Sequence, residues 1–574
     1  MNAILKKQNQ SGDAENELPI IYVNFIRSSL LSDDWRPSSE GPGIFAILVD
    51  DESKVGDSYD EENEITVCKS VDLGSLARLV GSRVDIDLYK KWLPVLDESL
   101  LVDQSFSEET LTFFQQVGSV FNSKILNKNT INTLGNDFLE NSLLNAPLSY
   151  ASNSLGVLKA QYDGRPVMIM AGGPSLDKQL ETIKQHQKYF CIVVVASVYN
   201  ACLNHDIKPD FIMVSDTLNY PIWPSNPESI VIMDVGCDPV AAWKAPQKTV
   251  FMSHRPDISS FLKSLNISCD YLLSGGSVAN TAYSFAKHIG AKSIVLVGQD
   301  LAFSEDQDHS KHHTDPYDER MRRVRAAMGF KVKGYYGSTV LTERPYLMFK
   351  EWFESQIREN PEILVFNCTE GGAFIDGANH LPLNVVCNEL APLKINSKSS
   401  YTLQPSELAC HNQLKAKIQE IWADLRELKK IINKVVNLKI NNQITDDKIK
   451  QIDKCLHAIS NSSLEFKFFV NAVGPKELHE VTKEIKLANP DDLTKVYLLY
   501  QKVAKSYSVS LNKLDELFDN TMGFYNVFPK KSAVSHLQLA ESYELISEVI
   551  SRSHIDRKYA EYFEQDFQDA KAFI

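Results

Sequence analysis

Val167-Met-Ile-Met-Ala-Gly-Gly-Pro-Ser-Leu-Asp177 sets an apolar run and two glycines directly ahead of a proline and a hydroxyl. The run reads as a buried strand, the glycines as a turn, and the residues after Pro174 as the start of a helix. The pattern returns twice: Ser274-Gly-Gly-Ser-Val278 opens a helix, and Ile294-Val-Leu-Val297 runs into Gly298-Gln-Asp300. Strand, phosphate-sized turn and helix in repetition is how α/β sheets build nucleotide sites at the carboxyl ends of their strands. The centre of the chain is therefore expected to bind a phosphorylated nucleoside.

Around this stretch, from Ser152 to about Leu390, short apolar runs alternate with helical segments. The runs are Pro166 to Met170, Phe190 to Ala196, Asp210 to Ser215, Ile230 to Val235, Thr249 to Ser253, Ser293 to Val297 and Ile363 to Asn367; the helices include Asp177 to His186 and Ser277 to Gly290. They predict a mostly parallel, doubly wound sheet of six or seven strands. Upstream, Ile20 to Ile26 and Ile44 to Val49 read as strands of a smaller α/β unit. The acidic stretch Asp50 to Glu64 reads as a solvated loop, since it lacks the ligand order of a calcium loop. Val71 to Leu96 and Glu108 to Leu126 carry helical periodicity, and the Asn/Leu-rich Asn129 to Ser149 reads as a bridge to the next domain.

Past Pro405 strand signals stop. Leu414, Ile418, Ile421, Leu425, Leu428, Ile432 and Val435 alternate spacings of four and three, which is a heptad seam and predicts a helical bundle with an internal core. The expected division is an N-terminal α/β domain over 1–130, a central Rossmann-like domain over 131–398 and a helical domain over 399–574.

Composition narrows the function classes. A chain of 574 residues with 43% hydrophobic and 23% charged content holds more than one core. Its net charge of -14 argues against nucleic acid as a general partner. Nine cysteines include no CxxC pair, which reads as reduced thiols without structural zinc. No leader pattern opens the chain and no apolar stretch reaches the roughly 18 residues of a spanning helix, so a cytoplasmic protein without membrane insertion is expected. The turn at Gly172 lacks both GxxxxGK[ST] and GxGxxG, which disfavours a P-loop and an ordinary dinucleotide site.

Five segments keep their order from residue 163 to residue 372: Asp163-Gly-Arg-Pro-Val-Met-Ile-Met-Ala-Gly-Gly-Pro-Ser-Leu-Asp177, Ile207-Lys-Pro-Asp-Phe-Ile-Met-Val-Ser-Asp216, Gly275-Gly-Ser-Val-Ala279, Val297-Gly-Gln-Asp-Leu-Ala-Phe303 with His309 after it, and Asn367-Cys-Thr-Glu-Gly-Gly372. In these the chain resembles the motility accessory factor (Maf) family of flagellin glycosyltransferases. The resemblance implies an N-terminal α/β domain, a central domain related to sialyltransferases and a helical C-terminal domain. It also implies transfer of a nonulosonic acid, of pseudaminic or legionaminic type, from its CMP form to Ser or Thr of flagellin; a CMP-linked Kdo is chemically similar. The same central motifs are similar to 6-hydroxymethylpterin diphosphokinase-like (MptE-like) proteins, which would imply Mg-ATP with carboxylates such as Asp216 and Asp300 on the metal. A non-catalytic flagellar assembly factor is a third reading.

A CMP-activated keto sugar leaves through an oxocarbenium-like transition state, so the site must cradle phosphate, stabilise positive charge and deprotonate the acceptor hydroxyl. Under the transferase reading Gly172, Gly173, Pro174 and Ser175 hold the CMP phosphate and ribose, the glycines admitting close approach and the amides facing the anion. The plainer alternative is a strand-to-helix turn with Ser175 as a cap. Ser274, Gly275, Gly276 and Ser277 form a second turn facing donor or sugar carboxylate. Asp216 and Asp300 end strands, where they could hold ribose, sugar or a metal, while Gln299 lines the site or packs. His309 is the base candidate; His312 and His313 compete, because the family pattern of His followed closely by Gly is not kept. Glu370 is a site carboxylate or part of a plain turn. Lys331, Lys333, Arg344 and Lys350, with Arg320, Arg322, Arg323 and Arg325, steer an anionic donor or form a solvated face. Tyr335 and Tyr336 line a sugar pocket or mark a loop. No cofactor is required beyond the CMP-sugar co-substrate, and the metal requirement is open.

Overall fold

The computed structural model describes residues 20–30, 43–60, 65–84, 91–95, 101–102, 105–215, 228–245, 248–267, 269–303, 309–311, 329–391, 401–403, 411–438, 445–462, 469, 473, 481 and 493–527. The chain divides into two compact units, Met1–Thr133 with Ile440–Ile444 and Lys476–Val503, and Leu134–Lys439 with Thr445–Pro475 and Ala504–Ile574.

The first unit holds β1 (Ile20–Arg27), β2 (Gly43–Leu48), β3 (Gly56–Asp60), β4 (Ile65–Ser70), helix α1 (Leu73–Arg83) and β5 (Lys91–Val95), in the sheet order β3-β4-β2-β1-β5. All pairs are parallel except β3 on β4. Two expectations change here. The acidic stretch contains a strand, because an edge strand needs only its backbone to pair and charged side chains there deter further pairing. The helical periodicity from Val71 stops at Arg83, and Lys91-Trp-Leu-Pro-Val95 pairs with β1 instead. Pro94 explains this, since proline breaks a helix interior but is tolerated in an edge strand. Two short strands, β6 (Leu101–Val102) and β7 (Ser105–Phe106), lead into the 44-residue helix α2 (Glu108–Ala151). Its first turns complete the core: Phe113 stacks on Phe25 at 4.6 Å between ring centroids.

The Asn-rich segment read as a bridge is helical to Ala151. Its asparagines are the cause, not an obstacle: Asn141 Nδ2 donates to Gly236 O at 3.0 Å, and Asn145 Nδ2 to Val235 O and Cys237 O at 2.9 and 2.8 Å. Buried amide bonds of this kind outweigh the few tenths of a kcal/mol by which Asn disfavours a helix.

In the second unit the strands are β8 (Val167–Met170), β9 (Cys191–Val195), β10 (Phe211–Val214), β11 (Ile230–Asp234), β12 (Thr249–Ser253), β13 (Asp270–Tyr271), β14 (Ser293–Val297), β17 (Leu364–Asn367) and β18 (Asn379–His380). They form one parallel sheet in the order β13-β12-β11-β10-β9-β8-β14-β17-β18. Every residue of β8 to β12 is buried, as helices on both faces require. The interspersed helices are α3 (Leu155–Gln161), α4 (Leu180–His186), α5 (Tyr199–Asn204), α6 (Pro239–Lys244), α7 (Pro256–Ser264), α8 (Val278–Ile289), α9 (Arg344–Glu359) and α10 (Leu383–Leu390). A hairpin of β15 (Phe330–Lys333) and β16 (Thr339–Thr342) stands apart from the sheet. The fold is thus a doubly wound, Rossmann-like α/β sheet.

The chain lays strands outward from β8 to β13, then returns through α8 to place β14 on the other side of β8. Connections diverge at that point, and the carboxyl ends of β8 and β14 are where open α/β sheets place their ligand crevice.

The helical region comprises α11 (His411–Val436), α12 (Asp446–Ser460) and α13 (Leu493–Val527). Six of the seven seam residues of α11 are buried, Leu428 being half-buried. Trp422 of α11 stacks on Phe518 at 5.8 Å and its indole N–H donates to Asp515 at 3.1 Å. Leu537, Leu539 and Leu545 lie outside the described residues. Among the described residues no helix is long and apolar enough to cross a membrane.

Candidate active site

The switch-point crevice is built from three turns that meet on Asp300. The β8 and β14 ladder continues past both strands: Ala171 N–H donates to Val297 O at 2.9 Å and Gly173 N–H to Gly298 O at 2.7 Å. Gly298 has φ +67°, and a Cβ there would lie 2.2 Å from Ala171 O, so only glycine fits. The carboxylate of Asp300, 7% exposed, accepts from the Ser175 hydroxyl at 2.7 Å and from its N–H at 3.3 Å, both on Oδ2. The third turn closes behind it: Ala373 N–H donates to Asp300 O at 2.7 Å, and Gly371 approaches Oδ1.

Two amides of the first turn are already engaged within the protein. The anion on the first turn is the protein's own Asp300, which takes the Ser175 amide, while the Gly173 amide goes to Gly298 O. A Cβ on Gly173 would lie 2.0 Å from Asp300 Oδ2, so the glycine makes room for a carboxylate. Ser175 is not a cap: the 3-10 turn Pro174–Lys178 has Gly173 at its cap position. Burial pushes the Asp300 carboxyl up to about 6, although the Ser175 hydrogen bonds and the Lys178 charge pull it back. An acid that titrates near neutral pH at a topological switch point can exchange a proton with a bound group.

Residues 309–311 are fastened to the same turn. Ser310 N–H donates to Gly172 O at 2.8 Å, its hydroxyl to Asp177 Oδ1 at 2.5 Å, and Lys311 N–H to Asp177 Oδ2 at 3.2 Å. His309 is thereby one residue from a hydrogen bond to Gly172. The sequence marks Asp177 only as the end of a motif and the start of a helix; its role here depends on a partner 133 positions away and has no local signal.

Other expected site residues make contacts within the fold. Glu370, at φ +51°, offers Oε1 to the Leu383 N–H at 3.1 Å and so caps the start of α10. Its carbonyl accepts from the Tyr336 hydroxyl at 3.1 Å, which brings the hairpin tip onto the third turn. Tyr335 packs on His380 at 5.1 Å, and Lys333 stands 3.5 Å over the ring of Phe374. Lys350 pairs with Glu354 at 2.5 Å, so its charge is neutralised on its own helix. Gln299 is buried and its Oε1 has no hydrogen-bond partner.

The Ser274 to Ser277 turn serves α8. Ser277 caps it, accepting from Asn280 N–H at 3.1 Å, while Ser274 Oγ accepts from Gly276 N–H and from the Thr281 hydroxyl, both at 3.2 Å. Gly275 faces the Trp352 ring, where a Cβ would be 2.4 Å away. Asp216, His312, His313, Arg320, Arg322, Arg323 and Arg325 lie outside the described residues. Among the described residues no group of three or more His, Cys, Asp or Glu is placed to hold a metal ion.

Two further clusters use motif residues away from the crevice. Arg165, fully buried, pairs with Asp163 at 2.7 Å and Asp210 at 3.2 Å, and donates to Phe190 O at 2.7 Å. This ties two of the quoted segments together at the amino ends of β8 to β10, a structural use. Asp234, fully buried at the end of β11, lies 2.7 Å from His254 Nδ1 and accepts the His254 backbone N–H at 2.7 Å. The ring contact is an ion pair, in which each group favours the charged form of the other. At about 4.8 Å per strand this pair stands roughly 15–20 Å from β8 and outside the crevice.

Residues 140–306 match the family model described as 6-hydroxymethylpterin diphosphokinase MptE-like. Among solved structures the chain is similar to a MAf glycosyltransferase from Magnetospirillum magneticum AMB-1, at 16% sequence identity and a TM-score of 0.45, over 86% of this chain and 74% of that one. No curated protein matches the chain. The matched segment runs from the last turns of α2 through the strands β8 to β14 and their turns to Asp300, and over residues 140–306 the chain carries an MptE-like domain.

Proposed function

We propose that the protein is a glycosyltransferase that moves a nonulosonic acid from its CMP-activated form to Ser or Thr of flagellin. The observation that carries this reading is Asp300, a buried acid raised to about 6 where three motif turns converge at the switch point. The ordered resemblance to the Maf family over residues 163 to 372 supplies the donor and acceptor classes. In this reading Asp300 exchanges a proton with, or orients, the group bound beside its Oδ1. His309 takes the proton of the acceptor hydroxyl. Since the Gly173 and Ser175 amides are engaged, the phosphate charge falls to lysines of the same turns, Lys178 and Lys311. The helical region after residue 400 presents the acceptor.

The test has two arms. CMP or CTP should raise the melting temperature more than ATP or NAD; a ligand at 100 times its Kd adds about 2.7 kcal/mol. Flagellin co-expressed with the protein and the sugar-making enzymes should gain the nonulosonate mass. A truncation to test the acceptor surface belongs after residue 403, because Tyr401 packs on Phe211 at 4.6 Å and Thr402 bonds Gln161. Failure of both arms would sink the proposal.

The family match favours a second reading, a Mg-ATP-dependent 6-hydroxymethylpterin diphosphokinase. Selective stabilisation by Mg-ATP, with AMP formed from ATP in the presence of 6-hydroxymethylpterin, would put it first.

A further inference from the structure

Both carboxylate oxygens of Asp177 are spent on residues 309–311: Oδ1 on the Ser310 hydroxyl at 2.5 Å and Oδ2 on the Lys311 amide at 3.2 Å. Ser310 is 4% exposed, and its own N–H reaches Gly172 O at 2.8 Å. The local turn makes no call on this carboxylate, since its cap position is Gly173 and carries no side-chain cap bond. The same turn holds Ser175 on Asp300 two residues earlier. One short turn thus grips the Asp300 carboxylate from one residue and the 309–311 segment from another. A hydroxyl-to-carboxylate bond is charge-assisted and so among the stronger contacts a hydroxyl can make.

We propose that Asp177 is a positioning residue that clamps the 309–311 segment onto the glycine turn and so sets His309 at the mouth of the crevice. The proposal rests on the transferase reading for its catalytic consequence, though not for the clamp itself. Misplacing a reacting group by about 1 Å costs on the order of 100-fold in rate, so a clamp of this kind acts on turnover more than on donor binding.

The test compares Asp177→Ala, Asp177→Asn, Ser310→Ala, His309→Ala and the Asp177→Ala/His309→Ala double variant in the full chain. Amide hydrogen exchange at Ser310 and Lys311 should speed up about tenfold or more in Asp177→Ala and less in Asp177→Asn, which keeps one acceptor oxygen. In sugar transfer to flagellin, Asp177→Ala should lower kcat by about 10- to 100-fold with the donor KM nearly unchanged. Asp177→Asn should recover part of it. The double variant should be no slower than His309→Ala, because two residues acting through one group are non-additive. Should Asp177→Ala fail to fold, Ser310→Ala removes one of the three bonds and supports the same comparison. Wild-type exchange at 310–311 in the Asp177→Ala variant, or multiplied effects in the double variant, would overturn the proposal. If the wild-type protein transfers no sugar, the transferase reading and the assigned role of His309 fall together, and the exchange arm still decides whether Asp177 holds the segment.

Discussion

The Ser175 hydroxyl donates to Asp300 Oδ2 at 2.7 Å across 125 residues of sequence, and this bond joins the turn after β8 to the turn after β14. It places an acid where an α/β sheet ordinarily receives a ligand anion. Both the stability and the pH response of the crevice follow from it.

Ser175→Ala removes the hydroxyl donor from a buried carboxylate. A loss of about 1.5–3 kcal/mol in unfolding free energy is expected from denaturant melts. Because the Ser175 bonds hold the Asp300 carboxyl down, it should titrate above about 6 in the variant. A pH–rate limb that moves to higher pH would show this, and an unmoved limb would separate Asp300 from catalysis.

Asp300 also gives the fold a pH signature. Its folded pKa is raised to about 6 from 3.8, so the folded state holds the proton more tightly than the unfolded one. Its contribution is fully present below the unfolded value and is lost as pH rises from about 4 through about 6. Asp300→Asn should therefore erase a downward slope of order 3 kcal/mol across that window and stabilise the protein at pH 7, while abolishing turnover. Parallel melts from pH 4 to pH 8 check this. Equal slopes in the two proteins would mean that the carboxyl is not raised.

Gly173 and Gly371 should behave oppositely. Alanine at 173 would set a Cβ 2.0 Å from Asp300 Oδ2 and 2.5 Å from Gly298 O, against backbone that cannot yield. About 3 kcal/mol of destabilisation is expected, the upper end for overpacking. Alanine at 371 would meet Asp300 Oδ1 at 3.7 Å, an ordinary contact, and should melt like the wild type. If a ligand sits beside Oδ1, Gly371→Ala should still weaken CMP binding by calorimetry. Normal CMP affinity in that variant would place the ligand elsewhere.

Asp234 and His254 form a pair whose charges support each other. The Asp234 carboxyl is held below the usual range by His254 against the cost of burial, and the His254 ring is raised by Asp234 against the same cost. The histidine share of stability is present below its unfolded pKa of about 6.5 and fades as pH rises through its higher folded value; the aspartate share fades as pH falls below about 3.8. Asp234→Asn should cost about 3–5 kcal/mol near pH 5–6, as expected when one partner of a buried pair is removed. The deficit should narrow toward pH 9. A constant deficit would leave the two backbone N–H bonds to Asp234 as the whole of its role.

Much of the central sheet was legible because fully buried parallel strands are short continuous apolar runs, and Val167–Met170, Cys191–Val195 and Ser293–Val297 could face nothing but helices. The helix from Val278 was legible at both ends, since Ser277 caps it and Gly290 closes it at φ +100°. The seam from Leu414 to Val435 carried its own period. Where local pattern misled, tertiary contact had the larger free energy: Asn141 and Asn145 made a helix of a polar stretch, and pairing with β1 made a strand of Lys91–Val95. The sequence also marked Gly173, Ser175 and Asp300 in turns at strand ends, with His309 shortly after the last of them. What it left open was what each of them faces, because a glycine that admits a phosphate and one that admits a carboxylate look alike in a string of letters. Only the closing of β8 against β14 decided that the anion on the first turn is Asp300, and that Asp177 reaches across 133 positions to hold the segment bearing His309.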